Sequence, residues 1–464
     1  MIIEDLYSII TVNYKIMKST ILKILYLVFS VSAMAQTGHI LQGTGSVNMS
    51  MGGASTAQPI DIAGALQWNP ASISTFDGTI ISFDIGLFSS SPALYSTVPE
   101  FNSMGQPTGN FFSGVTNDDR GLSPMPALAI VWGKEDSKHT FGASAFGVSG
   151  FGVTFPESMT NPINMPQSMG GFGRIESDYI LLQIGLSYAY EITDKLSIGI
   201  QPNIDYATLE LMPNPTAKPN MFGFPSADKA SAIGFGGQIG LFYDTKSGLK
   251  LGASYKTNQY FGEFEFENTY PDGTDGTNTF QMDYPAIVSL GLGYSMNNFD
   301  FALDFRRVLY EDTEGFSKTG WDFDNNMLPS VAGFGWENIS ILSAGLQYKG
   351  INKLPLRLGY TYSSNPINDE VAFYNIPATA IIKNAFQFGL TYEFSERLNL
   401  NAVYHHGDSG GKTSGQVLNP QFTSNFPPYG GIPGSDVSYD MTTDLFMVGF
   451  NYTFKSKQAV NNDL

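Results

Sequence analysis

The stretch Ile180-Leu181-Leu182-Gln183-Ile184-Gly185-Leu186-Ser187-Tyr188-Ala189-Tyr190 decides the fold. Successive side chains of a strand point to opposite faces, so Ile180, Leu182, Ile184, Leu186, Tyr188 and Tyr190 share one side against Gln183, Gly185, Ser187 and Ala189. The next run keeps the rule: Leu196, Ile198, Ile200, Ile204 and Tyr206 oppose Ser197, Gly199, Gln201, Asn203 and Asp205. A soluble sandwich also alternates, so repetition is what discriminates. Phe299, Phe301, Leu303 and Phe305 oppose Asp300, Asp304 and Arg306; Phe386, Phe388, Leu390, Tyr392 and Phe394 oppose Gln387, Gly389, Thr391 and Glu393. Such a phenylalanine-rich face aggregates in water and is at home in lipid.

Fourteen alternating runs are expected, at 78–88, 124–133, 139–155, 176–191, 194–211, 231–245, 248–267, 281–296, 298–310, 337–349, 354–362, 382–395, 397–406 and 441–454. Tight turns at Asp194-Lys195, Asn297-Asn298 and Ser395-Glu396 belong at the periplasm. The long stretches 89–123, 311–336 and 406–440, rich in Gly, Pro, Asn and Ser, belong outside. The expected fold is all-β: a fourteen-stranded antiparallel transmembrane β-barrel, closed so that no strand edge meets lipid, in the outer membrane of a Gram-negative bacterium.

Composition agrees. Only 14% of the 464 residues are charged while glycine occurs 50 times, a balance that suits strands and turns. The net charge of -18, with no dense cluster of Lys or Arg, excludes nucleic acid as a partner. The absence of cysteine excludes disulfides, thiol catalysis and thiolate metal sites.

From Met17 the chain reads as a secretory signal, with Lys18 and Lys23 before the apolar Ile24 to Val31 and the small residues Ala33-Met34-Ala35 at a cleavage point. Met1 to Ile16 are then either a mis-assigned start or an upstream extension, the start codon being that of Met17 or Met1. The organisation expected is extension and signal over 1–35, an N-terminal plug over 36–77, the barrel over 78–454 and a polar tail over 455–464. No segment after the signal reaches the ~18 apolar residues of a membrane helix.

The last run places Phe446, Val448, Phe450, Tyr452 and Phe454 on one face. It resembles the C-terminal signal read by barrel-assembly machinery, which is thus an expected partner during biogenesis. Met447 and the tail beyond Phe454 depart from that pattern.

Between signal and first strand, Gly38 to Asp77 is dense in Gly, Ala, Ser and Met, with no sustained strand pattern, so something other than lipid must cover it. Its runs Met51-Gly52-Gly53-Ala54-Ser55-Thr56-Ala57 and Ala63-Gly64-Ala65-Leu66-Gln67-Trp68-Asn69-Pro70-Ala71 resemble the start of the FadL/TodX family of outer-membrane transporters for hydrophobic compounds. The resemblance extends over essentially the whole mature chain, with Ser72 where the family usually has Gly. It implies a plug, or hatch, inside the barrel whose Asn69, Pro70 and Ala71 take part in gating. Gly147, Gly150 and Gly152 weaken the third strand and permit a bulge. The resemblance makes this the place of a kink that opens the wall sideways. Leu211, Met212, Met221, Phe222 and Phe224, apolar residues in exposed segments, offer an adaptable surface for an acyl chain or aromatic ring. By resemblance they form the capture loop, although its usual companion, here Asn268 to Phe280, is short and acidic.

Other motifs carry little chemistry. Gly407-Asp408-Ser409-Gly410-Gly411 looks like a protease nucleophile segment, but Lys412 replaces the expected Pro and no separate His and Asp segments accompany it. Gly234, Gly236, Gly237 and Gly240 imitate a dinucleotide fingerprint without a following helix and are read as making room inside the barrel. His39, His139, His405 and His406 lack zinc-ligand spacing, and Asn117-Asp118-Asp119 reads as a solvated loop. The expectation is no enzyme, no catalytic residue, no metal and no cofactor. The expected partners are a hydrophobic small-molecule ligand and outer-membrane lipid. The function expected is passive transport of long-chain fatty acids or aromatic hydrocarbons by loop capture, plug movement and lateral release. The alternatives are a cargo shuttle in protein secretion and an outer-membrane lipase with His405 as base.

Overall fold

Each alternating run becomes a wall strand because only pairing with two neighbours satisfies its backbone in lipid. In the computed structural model, which describes residues 38–102, 107–133 and 136–454, the wall strands are β1 (Thr79–Phe101), β2 (Leu122–Trp132), β3 (His139–Phe155), β4 (Ile175–Glu191), β5 (Leu196–Met212), β6 (Ala230–Asp244) and β7 (Leu249–Lys256). The remainder are β8 (Ala286–Met296), β9 (Phe299–Leu309), β10 (Ile339–Tyr348), β11 (Leu356–Ser363), β12 (Asn384–Glu393), β13 (Leu398–Asp408) and β14 (Asp436–Thr453). The expected signal peptide and polar tail lie outside the described residues. Each strand pairs antiparallel with the next, and β14 returns to β1 from Ile80↔Thr453 to Thr97↔Asp436, closing the barrel of fourteen.

The faces sort as the sequence predicts. Ile184, Leu186, Ile200, Leu303, Phe305, Phe388 and Phe446 are exposed on the outer surface, whereas Gln183, Gln201, Asp205, Asp304, Arg306 and Gln387 are buried inside. The connections 192–195, 245–248 and 297–298 are short, and Asn297 turns its chain with a positive φ of 52°.

Three expectations need correction. First, the strand expected over 78–88 does not end there: β1 continues to Phe101 and folds back as a strand over Pro107–Asn117. Beyond Leu87 its outward residues become Ser89, Ser91, Tyr95 and Thr97, so the alternation persists in water, where an apolar-face criterion loses it. Second, 248–267 is not one strand. Asn258 leaves the β7 ladder to accept from the Ala286 amide (2.7 Å), and Phe264–Thr269 joins Asp275–Phe280 and Ser226–Ala227 in a separate three-stranded sheet. Phe264 and Phe266 are buried there, so the helper loop 268–280 is half of a hairpin. Third, 311–336 is not simply external, since Phe316, Phe334 and Trp336 are buried, as are Tyr310 just before it and Phe373 to Asn375 of the next long connection. These rings find cover only inside the barrel.

Beneath them the N-terminal segment fills the interior, with every residue from 42 to 58 buried. It forms the helices α1 (Ser46–Ser50) and α2 (Ile62–Trp68) and a 3-10 turn over Pro70–Thr75. Asp61 caps α2 by accepting from the Gly64 amide (3.2 Å), and Asn69-Pro70 ends it.

Candidate functional site

The turn Asn69-Pro70-Ala71 lies directly on the wall. Gly199 of β5 and Gly240 of β6 are register partners, and a Cβ on either would stand 2.3 Å from the Ala71 amide nitrogen or 2.0 Å from the Asn69 Oδ1. Their lack of side chains is the seat of the turn, which gives Gly240 of the imitation dinucleotide motif a packing role. Asn69 is buried, donates from Nδ2 to the carbonyls of Thr56 (2.8 Å) and Leu241 (2.9 Å), and accepts from the Ala71 amide (3.1 Å). Asn69→Ala deletes all three bonds and strands the buried Ala71 amide. At about 1 kcal/mol per net bond the expected loss is about 3 kcal/mol, measured as a lower guanidinium midpoint for protection of the N-terminal segment from protease.

A second anchor is an ion pair sealed from solvent. Asp304 Oδ2 accepts from the Ser55 and Thr56 amides (2.9 Å each), from Thr56 Oγ1 (2.7 Å) and from Arg306 (2.6 Å). Arg306 also donates to the Gly53 carbonyl (2.7 Å) and lies over the Trp68 ring at 3.7 Å. One carboxylate from the wall thus gathers the backbone of the segment, and one guanidinium neutralises it.

At the third strand the wall is incomplete. β2 pairs with β1 from Leu122 onward, but with β3 only from Ala127↔Phe146 down to Trp132↔Phe141. Above that point Leu122 to Pro126 has no strand partner on its β3 side among the described residues. Pro124 and Pro126, two positions apart, remove two donors from the same edge of β2. β3 meanwhile slips register between Gly147 and Ser149, leaving Val148 unopposed on β4. Residues 39–41 take the missing place: the Leu41 amide donates to the Val148 carbonyl (3.0 Å), the Gly150 amide to the His39 carbonyl (3.0 Å), and Ser149 Oγ to that same carbonyl (2.9 Å).

Around this gap is a cavity of about 300 Å³ lined from inside by His39, Leu41 and Tyr179 and from the lipid side by Pro124, Pro126, Ile180 and Leu182. It therefore runs through the wall. Gly147, Gly150 and Gly152 all line it. Gly152 has a second reason to be glycine, because Arg120 occupies the space its Cβ would need. Arg120 pairs with Asp178 and donates to the Ser177 carbonyl (3.1 Å), while Asp118 and Asp119 bond the Thr154 backbone. Asn117-Asp118-Asp119 is thus no merely solvated loop; it helps clasp the upper end of the gap.

Towards the outside a groove of about 570 Å³ is lined by Val98, Phe172, Phe224, Trp321, Phe373 and Leu418 among others. The five residues read as a capture surface are not gathered there. Phe224 lines the groove, Met221 and Phe222 are exposed to solvent apart from it, and Leu211 is buried on the inner face of β5 with Met212 beside it. Sequence reasoning missed Trp321 and Phe373, which come from distant long connections; their only signal was aromatic content between the expected strands.

His405 faces inward beside Gln387 (3.1 Å), whereas His406 pairs with Asp444 (2.7 Å) on the outer rim. Ser409 Oγ donates to the Gly411 carbonyl (2.8 Å) and accepts from the Met441 amide (3.2 Å). The hydroxyl of the protease-like motif is thus engaged by backbone.

A profile of the family described as outer membrane protein transport protein (OMPP1/FadL/TodX) matches residues 27–461. Among solved structures, the toluene transporter TodX of Pseudomonas putida superimposes with a TM-score of 0.64 at 18% identity, over 90% of this chain and 100% of its own. A FadL homologue of Pseudomonas aeruginosa gives 0.68 at 14% identity, over 90% and 100%. The toluene transporter TbuX of Ralstonia pickettii gives 0.61 at 16%, over 89% and 99%. No curated protein sequence matches significantly.

Proposed function

The chain belongs to the OMPP1/FadL/TodX family of outer membrane transport proteins, and on that premise we propose that it moves hydrophobic molecules, long-chain fatty acids or aromatic hydrocarbons, passively from the medium into the outer membrane. The groove bearing Phe224, Trp321 and Phe373 captures the ligand. A ligand that buries roughly 250 Å² of apolar surface gains about 6 kcal/mol at ~25 cal/mol per Å², enough for capture at sub-millimolar concentration. The ligand then passes along the buried aromatic residues that the long connections hold above the plug. A shift of the plug at Asn69, Pro70 and Ala71 withdraws residues 39–41 from the gap beside β3. Exit past Gly147, Gly150 and Gly152 delivers the ligand to lipid without a return to water.

The observation that carries this reading is the cavity that crosses the wall where β2 and β3 are unpaired. Vesicles with a lipopolysaccharide outer leaflet and the purified protein should take up labelled palmitate or toluene faster than protein-free vesicles; equal rates for both solutes overturn it. Trp321→Ala is expected to raise the half-saturating solute concentration about tenfold, since an aromatic ring in such a groove contributes on the order of 1.5 kcal/mol, whereas Met221→Ser leaves it unchanged.

A further inference from the structure

The chamber behind the wall gap is built of rings. His39 sits among Phe151, Tyr179, Tyr284, Tyr310, Phe316 and Trp336, with ring centres 4.8 to 6.4 Å away. Its Nδ1 bonds the Tyr310 hydroxyl (2.8 Å), but among the described residues neither its Nε2 nor the Tyr179 hydroxyl has a partner. Both side chains are buried, at 0% and 1% exposure, and both line the cavity that opens towards lipid. The two ring centres are 5.8 Å apart.

Resting on the transport reading above, we propose that this cavity selects small neutral phenols, molecules with one aromatic ring and one hydroxyl. A pure hydrocarbon leaves two buried polar atoms dehydrated, which disfavours it. A hydroxyl both donates and accepts, so it completes His39 Nε2 and Tyr179 together whichever His39 tautomer the Tyr310 bond selects. A carboxylate fits less well. Among the described residues lining the cavity, the charged one is Arg120, and its guanidinium is engaged by Asp178. Size points the same way: at roughly 30 Å³ per non-hydrogen atom, the volume share of a water, about ten atoms fit. That accommodates a substituted single ring and not an extended acyl chain of a long fatty acid. The surrounding rings supply edge and face contacts for a planar guest.

The test is calorimetric titration of the full protein in detergent micelles with p-cresol, toluene and 4-methylbenzoate at pH 7.5, repeated on Tyr179→Phe, with palmitate as a fourth probe. We expect p-cresol to bind at least tenfold tighter than toluene and tighter than 4-methylbenzoate. Tyr179→Phe should bring the p-cresol to toluene ratio down towards one. Toluene binding as tightly as p-cresol, 4-methylbenzoate binding most tightly, or a ratio untouched by Tyr179→Phe each overturns the phenol assignment and leaves the transport reading standing. Failure of all four probes to bind overturns both.

Discussion

Gly147→Trp is expected to cut hydrophobic uptake at least tenfold while leaving the barrel as stable as before. Gly147 lines the cavity through the wall, and a Cβ built on it meets nothing within 4 Å, so a larger side chain enters open space. Its backbone is not in the left-handed region, and tryptophan is compatible with a strand. Gly147 shares the outward face with the exposed Phe141, so an indole there lies over the lipid-side mouth of the gap without disturbing the ladder to β4. The check is uptake into lipopolysaccharide-faced vesicles alongside thermal unfolding of the same preparation. Gly147→Ala, which adds one methyl, should keep at least half the rate. If the tryptophan variant transports within twofold of the parent, ligands do not leave beside β3.

The second large effect concerns the N-terminal segment. Asp304→Ala should loosen it by about 3–5 kcal/mol, the usual penalty for removing one partner of a buried ion pair. The substitution strands the Arg306 charge and takes the acceptor from the Ser55 and Thr56 amides. Planar-bilayer recordings should then show ion-conducting openings that the parent lacks, and periplasmic-side protease should reach the N-terminal segment. Replacing both members, Asp304→Leu with Arg306→Met, should recover part of the closure because no charge is left alone. Closed, protease-resistant behaviour of the single variant would mean that the ion pair does not hold the segment.

The barrel was readable because its signal is repetitive and local. Each lipid-facing residue such as Leu186 or Phe388 announces its strand within a few positions, and a strand error is corrected by its neighbours. The reading broke where the environment changed while the backbone did not. β1 runs on beyond the membrane with Ser and Thr outside, and 264–280 keeps alternating after it has left the wall. The glycines at 147, 150 and 152 were conspicuous as a cluster, yet the unpairing of β2 depends on Pro124 and Pro126, which read as ordinary wall residues. His39 was the least legible. Nothing local marks a histidine near the start of a segment as the centre of six rings contributed by β3, β4 and two long connections. Those contacts span up to about 300 positions of chain, beyond any periodicity.

The seam between the first and last strands has a consequence for biogenesis. Asp84 of β1 is buried there, accepting from the Ser46 amide (2.9 Å) and from the Ser46 hydroxyl. Its partner position on β14 is Gly449, where any Cβ would collide with the Asp84 carboxylate. A chain that closed this seam with α1 still outside would leave the Asp84 carboxylate facing a water-filled lumen, without the Ser46 donors that satisfy it in the finished fold. Arrival of the N-terminal segment therefore exchanges water for fixed donors on one carboxylate at the place where the first and last strands meet.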